Sequence, residues 1–395
     1  MPALPLKITH YTLTNALGRG KSASLEALQN SRSGLQPCDL DGVDLQTWIG
    51  RVPDLESLPL PEIWQAYDCR NNRLALLGLQ QDDFMQTVDA AKARYGAERI
   101  GVFIGTSTSG IASTEIAYRE IRDDRLPANF IPATTHNIAS PCQFVRLALG
   151  LNGPALAIST ACSSSAKVFA AADRHIKSGL CDAAIVGGID SLCLTTLYGF
   201  NSLDLVSDRP CRPWDATRNG INIGEAAGYA LLEPSTTGEP ALQLLGYGES
   251  SDAYHMSTPH PQGDGALSAM TQALKQAGLT PTQIDYVNLH GTATRSNDAS
   301  EDRAIGRLFE HCPPCSSTKG FTGHTLGAAG ITEAVFSLLC LEAGWMPKNL
   351  QTEVCDPELA ANILLQPRSA PIRHVLSNSF GFGGNNCSLL FGVAE

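Results

Sequence analysis

The chain has 395 residues, 43% of them hydrophobic and 17% charged, a globular composition on a chain too long for one ordinary core. A formal net charge of −11 argues against a nucleic-acid partner. No uninterrupted apolar run has bilayer-spanning length and "MPALPLKITHYTLTNALG" lacks a signal-peptide pattern, so a cytoplasmic protein without membrane insertion is expected, its 12 cysteines reduced.

In chain order, "DCRNNRLALLGLQQ" reads as a helix with Arg70 and Arg73 at i, i+3 spacing. "RIGVFIGTS" (99–107) reads as a strand, and the helical stretch "GIASTEIAYREI" follows it. "ALAIST" is a second strand, running at once into "ACSSSAKVFAAADRHIKSG", a helix closed by glycine. Cys162 therefore falls at a strand-to-helix turn among small hydroxyl residues. Unpaired backbone N–H groups and the helix dipole would favour its thiolate there. The competing reading is a buried structural cysteine, which suits most of the other eleven.

"DAAIVGGID" and "GYALLEP" are further strands, and "EPSTTGEP" is a short linker. Beyond it, "GALSAMTQALKQAG" is a helix and "IDYVNLHGTAT" a strand and turn that leaves His290 at a sheet edge, where α/β folds bind ligands. "STKGFTGHTLGAAG" follows, with Lys319 and His324 five residues apart; a nearby cation would keep the imidazole neutral. In "SNSFGFGGNN" the glycines let backbone amides point at a ligand. The alternation of strands and helices predicts an α/β fold with largely buried sheets. The repeated strand–polar turn–helix pattern predicts two similar halves, 1–234 and 235–395. "HCPPC" (311–315) has Cys-x-x-Cys spacing, but no second pair stands at zinc distance, so it reads as a loop. His255 and His260 read as loop residues, and no metal site is expected.

Four motifs in fixed order, "TACSSS", "HGTAT", "TKGFTGHTLGAAG" and "NSFGFGG", resemble the β-ketoacyl-(acyl carrier protein) synthases of the thiolase superfamily. "CRPWDATRNGINIGEAAGYALLE" and "SSDAYHMSTPHP" add to the likeness, which spans nearly the whole chain. "YDCRNNRLALLGLQQ" and "DSLCLTTLYGF" further resemble the stand-alone synthases of bacterial aryl polyene pathways. The resemblance implies a thiolase-like fold of two duplicated halves, stacked as a five-layer αβαβα sandwich. It implies a decarboxylative Claisen condensation in fatty acid or polyketide synthesis, without a cofactor, on substrates carried by the phosphopantetheine of an acyl carrier protein.

By the same resemblance Cys162 would carry the acyl chain, and His290 and His324 would assist loss of CO₂. Lys319 would tune the histidines, with Glu301 supporting it. The backbone N–H groups of Cys162 and Phe382 would form the oxyanion hole, and Phe380 the gate. Thr292 and Thr294 would hold the phosphopantetheine arm, and Thr108 would line the acyl pocket unless it caps the helix after it. Arg70, Arg73 and Arg125 would meet the carrier protein. A homodimer, or a heterodimer with a chain-length-factor-like homologue, is implied. Two departures, Asn219 in "RNG" and Asn385 in "GFGGNN", leave the Cys–His–His set intact. A non-catalytic chain-length-factor-like subunit and a thiolase are the alternatives. The first should lack the nucleophile, and the second should carry another cysteine near the C-terminal glycine motif.

Overall fold

The computed structural model describes residues 5–235 and 240–394; the middle of the expected linker, 236–239, lies outside them. The first half contributes strands β1 (Leu6–Asn15), β2 (Ile100–Gly105), β3 (Ala155–Ile158), β4 (Ala183–Asp190) and β5 (Ala226–Pro234). The second contributes β6 (Leu242–Ser251), β7 (Tyr286–Asn288), β8 (Cys315–Ser316), β9 (His374–Gly381) and β10 (Asn385–Val393). Their orders are β3-β2-β4-β5-β1 and β8-β7-β9-β10-β6. In chain terms each half is ordered third, second, fourth, fifth, first. Its first two neighbouring pairs are parallel and its last two antiparallel. The sheets meet edge to edge through β1 and β6, with Leu6 opposite Leu244.

The layers follow from which faces are apolar. Strand β4, "AAIVGGID", is buried at every position, as a strand covered on both faces must be. Helix α4 (Ser164–Lys177) buries nine of its first ten residues, Lys167 being half-buried, and exposes its basic end. Helix α7 (Ala329–Ala343) is buried from Ala329 to Leu341 and is predominantly apolar, with Glu333 its one buried acid, so it belongs between the sheets. The two helices pack together there: a Cβ on Gly330 would lie 2.3 Å from the backbone nitrogen of Ala166. Helices α1 (Arg70–Leu79), α2 (Phe84–Tyr95) and α3 (Ser140–Ala148) cover the outer face of the first sheet. Helices α5 (Asp264–Ala277) and α6 (Arg295–Leu308) cover that of the second. The result is five layers, αβαβα, with one apolar core around the central helices and one under each outer layer. Residues Leu326–Ala343 are long and apolar enough to cross a membrane, but 89% of that stretch is buried inside the protein.

Candidate active site

Cys162 stands on a strained elbow. Ala161 before it has a φ of 53°, the left-handed region that a Cβ disfavours, and Ser163 is the N-cap of α4. The surrounding hydroxyls hold this turn. Ser163 Oγ donates to the Thr160 carbonyl at 3.0 Å, and Ser164 Oγ donates to the Ala161 carbonyl at 2.5 Å while accepting the Thr160 N–H at 2.9 Å. Ser165 Oγ accepts the Ile331 N–H at 3.0 Å and so ties α4 to α7.

Three elements of the second half bring their groups to this thiol. The loop between β8 and α7 carries His324, whose Nε2 lies 2.9 Å from Cys162 Sγ. The turn after β7 carries His290, whose ring stands edge-on to His324 with centroids 5.3 Å apart. The turn between β9 and β10 carries Phe382, whose N–H is directed at Cys162 Sγ and lowers its pKa. That turn can lie so close because Gly381 has no side chain: a Cβ there would sit 2.9 Å from the Thr160 carbonyl oxygen and 3.2 Å from the Cys162 nitrogen. A cleft of about 580 Å³ opens onto the group, lined by Cys162, both histidines, Phe380, Phe382, Thr292 and Thr294 among others.

Lys319 lies behind His290. Its ammonium contacts the His290 carbonyl and Glu333, and is 3.4 Å from His290 Nδ1. A lysine cation can only donate, so His290 Nδ1 accepts and the neutral ring keeps its proton on Nε2. Burial, then Lys319, holds both imidazoles well below the usual histidine range, and His324 depresses His290 further. Burial pushes the Glu333 carboxyl up to about 7, with the ammonium drawing it down.

Several expectations need correction. Cys162 is not a preformed thiolate: burial pushes its pKa up to about 11 despite Lys319 and the Phe382 N–H, so the resting group is a thiol beside a neutral imidazole. Lys319 is supported by Glu333, not Glu301. Glu301 instead accepts the backbone N–H groups of His290 and Gly291, each at 2.9 Å, and so positions the histidine. Phe380 is no gate. It is buried in strand β9 against the His290 ring, whereas Phe382 is half-buried on the glycine turn and faces Phe200 across 5.3 Å.

Thr108 does not line the cleft. Its N–H and hydroxyl both donate to Asp190 at 2.9 Å, and Gly110 occupies the N-cap of the next helix. Arg70 is not a free docking cation; it grips the fully buried Glu225 through two hydrogen bonds and also meets Glu56. Arg73 is likewise committed, to Asp68 at 2.6 and 2.7 Å. Arg125 is exposed on the loop after Ile111–Arg119.

Thr292 and Thr294 share a 2.9 Å hydroxyl contact at the cleft wall, and Thr294 also caps α6. Asn219 joins Ser207 to Asp208, and Asn385 accepts from Lys167 at 3.3 Å.

Two further positioning residues, Glu333 and Asp190, carry a signal in the sequence. Glu333 is a lone acid in the apolar helix "AGITEAVFSLLCLEA", where a buried charge demands a partner. Asp190 ends the apolar strand β4 and gathers Thr106 Oγ1, the Ser107 and Thr108 N–H groups and the Gly327 N–H. It thus fixes the His324 loop to the first half. Cys162, His290 and His324 offer ligand atoms within 4.8 Å of one another, but the adjacent Lys319 ammonium opposes a second cation there.

A buried thiol, two neutral imidazoles and an amide directed at the sulfur, on a duplicated five-layer sandwich, define a carbon–carbon condensing acyltransferase of thiolase fold. The chain belongs to the β-ketoacyl synthase family. It matches the model "Beta-ketoacyl synthase, N-terminal domain" over residues 75–237 and "Beta-ketoacyl synthase, C-terminal domain" over 242–353. It is 38% identical over 333 residues to the mitochondrial 3-oxoacyl-[acyl-carrier-protein] synthase of Arabidopsis thaliana, covering 79% of this chain and 71% of that protein. It is 33% identical over 313 residues to 3-oxoacyl-[acyl-carrier-protein] synthase 2 of Staphylococcus aureus, covering 75% and 77%. Among solved structures it resembles a ketosynthase (ApeO), in complex with its chain length factor (ApeC), from Xenorhabdus doucetiae. The identity there is 39%, the TM-score 0.89, and the coverage 99% of this chain and 98% of that one.

Proposed function

We propose that the chain extends an acyl group held on Cys162 by two carbons from malonyl-acyl carrier protein, releasing CO₂. The observation that carries this reading is the 2.9 Å contact of Cys162 Sγ with His324 Nε2, with His290 and Lys319 behind it. The thiol passes its proton to His324 Nε2 as it attacks the incoming thioester, the bond to the carrier sulfur breaks, and that proton leaves on the phosphopantetheine thiol. The Cys162 and Phe382 N–H groups receive the carbonyl oxygen of the tetrahedral intermediate. With the malonyl thioester bound beside His324, His290 Nε2–H donates to the thioester oxygen as CO₂ leaves; the resulting enolate attacks the acyl-cysteine, whose C–S bond breaks to return Cys162 as a thiol after protonation. Buried neutral imidazoles suit this step, because a donor is needed where negative charge develops. Thr292 and Thr294 line the route of the phosphopantetheine arm, which supplies the thioester without a further cofactor.

The carrier protein docks at the mouth of that cleft. Arg295, exposed at the first turn of α6 beside the cleft residues Ser296 and Asn297, is a better-placed cation than Arg70 or Arg73. The partner is a chain-length-factor-like homologue. Support comes from the ApeO–ApeC likeness and from strand β3, a sheet edge on which Leu156 is 42% exposed. The pathway is of the aryl polyene kind: "DSLCLTTLYGF", one of the stretches that resembles those synthases, supplies Phe200 to the cleft wall. Work in the cytoplasm agrees with twelve free cysteines. A non-catalytic subunit is disfavoured by the intact Cys162 group. A thiolase is disfavoured because Cys387, the candidate thiol near the glycine turn, is buried in β10 and does not line the cleft. The test is incubation with acyl- and malonyl-carrier proteins and mass spectrometry of the products. Chain extension coupled to CO₂ release, absent in Cys162→Ala, is expected; carrier products of unchanged length would reject the reading.

A further inference from the structure

We infer that Cys312 and Cys315 form a second thiol site, outside the active site, that accepts small-molecule disulfides and closes reversibly into an internal disulfide.

The sulfurs are already 3.7 Å apart, and a disulfide needs about 2.05 Å. The prolines between them, Pro313 and Pro314, stiffen the connection, so little chain entropy opposes closure. The Pro314 carbonyl accepts the Val287 N–H at 3.0 Å, and the Cys315 sulfur lies 3.1 Å from the Pro313 carbonyl oxygen. The pair is asymmetric in the way that thiol exchange requires. Cys312 is half-exposed and accepts the Asn362 N–H at 3.4 Å, whereas Cys315 is buried in strand β8. The Cys315 hydrogen bond draws the Cys312 thiol down to about 7, the one cysteine of the twelve whose thiolate is favoured; the other eleven are pushed upward, chiefly by burial.

Cys312 thiolate attacks one sulfur of the external disulfide and expels a thiolate. That thiolate takes the proton from Cys315. The Cys315 sulfur then attacks Cys312 Sγ and expels the second half of the reagent. Two cysteines are oxidised, one disulfide is reduced to two thiols, and no other reactant is consumed. The closure falls on the Cys312 side. The Cys315 backbone is clamped, its N–H donating to the Asn362 carbonyl and its carbonyl accepting the Leu364 N–H, both at 2.9 Å. The strand leading to Lys319 therefore keeps its place, and condensing activity survives oxidation.

The probe is oxidised glutathione, added to the full-length protein at neutral pH, with peptide mapping under non-reducing conditions. The peptide containing Cys312 and Cys315 should lose two hydrogens and regain them with dithiothreitol. Cys312 should react on the order of 5-fold faster than an ordinary surface thiol, its larger thiolate fraction outweighing its weaker nucleophilicity. In Cys315→Ser, Cys312 should stop at the glutathione adduct. If that buried variant fails to fold, Cys312→Ser, at the half-exposed position, should leave Cys315 unmodified. A wild-type protein that retains a stable glutathione adduct on Cys312, or whose first modified cysteine is another one, overturns the proposal.

Discussion

Replacing Lys319 with Met removes the cation that both buried histidines face. Met keeps most of the side-chain volume, so the change is electrostatic rather than a cavity. At 3.4 Å from His290 Nδ1, a unit charge in a medium of effective dielectric about 20 contributes about 5 kcal/mol against protonation of the ring. The Glu333 carboxylate on the same ammonium offsets roughly half of this, leaving about 2.5 kcal/mol, or about 1.8 pH units. Burial, the larger cause of the depressed histidine pKa, remains. The sign follows: removing the cation raises the histidine pKa, so protonation begins at higher pH and the acidic limb of the rate profile moves upward. The assay is malonyl decarboxylation followed from about pH 5 to about pH 8.5 for the wild type and Lys319→Met. The double variant Lys319→Met/Glu333→Gln removes the unpaired acid as well and should show the same direction. An acidic limb that stays in place, or moves to lower pH, would refute the claim that Lys319 keeps the imidazoles neutral.

Four other outcomes follow from the geometry. Cys162→Ala should abolish acyl-enzyme formation, seen as loss of the acyl adduct in intact-protein mass spectrometry, with the melting temperature nearly unchanged. Ala161→Val puts a β-branched residue at a φ of 53° and should cost about 2 kcal/mol, measured by denaturant unfolding. Arg70→Glu sets a third carboxylate against Glu56 and buried Glu225 and should destabilise by about 3–5 kcal/mol, with loss of folded protein as the readout and not a change in carrier KM. Thr108→Phe should break the Asp190 cluster and lower stability by about 2 kcal/mol or more; a stable enzyme whose products are merely shorter would put Thr108 back on the acyl chain.

Cys162, His290, Lys319 and His324 were legible because each sits at the end of a strand or in a polar turn with a local signature: glycines, small hydroxyls, and apolar runs that stop. Phe382 was legible from its glycine frame. What was not legible is who touches whom across the halves. Glu301 and Glu333 are both acids on helices, and only the packing shows that the first meets backbone amides and the second the ammonium. The charge of Arg70 gave no hint of burial, because its partner Glu225 lies 155 residues away. The thiolate expectation for Cys162 counted the helix dipole and omitted desolvation, which only the closed core reveals. Phe380 and Phe382 are two residues apart in a motif where either could be mobile; strand pairing of Phe380 with Asn386 decides between them.

The duplication explains why one site arises where symmetry would allow two. In each half the loop after the second strand is gathered by a buried carboxylate: Asp190 takes the N–H groups of Ser107 and Thr108, and Glu301 those of His290 and Gly291. In each half the loop after the third strand leads into a central helix, and those helices cross at Ala166 and Gly330. The halves differ in what these loops carry. Residues 159–163 form a tight elbow, which presents a nucleophile but leaves no room for a second functional group. The counterpart, residues 317–328, is longer and holds both Lys319 and His324. The first half has Ser107 and Thr108 where the second has His290 and Gly291, so of these loops only the second half's offer imidazoles. The pseudo-symmetric packing of the two central helices brings the His324 imidazole of the second half to the Cys162 thiol on the elbow of the first. The Cys162–His290–His324 group thus forms at the interface between the halves, which Asp190 bridges through the Gly327 N–H and Ser165 through the Ile331 N–H.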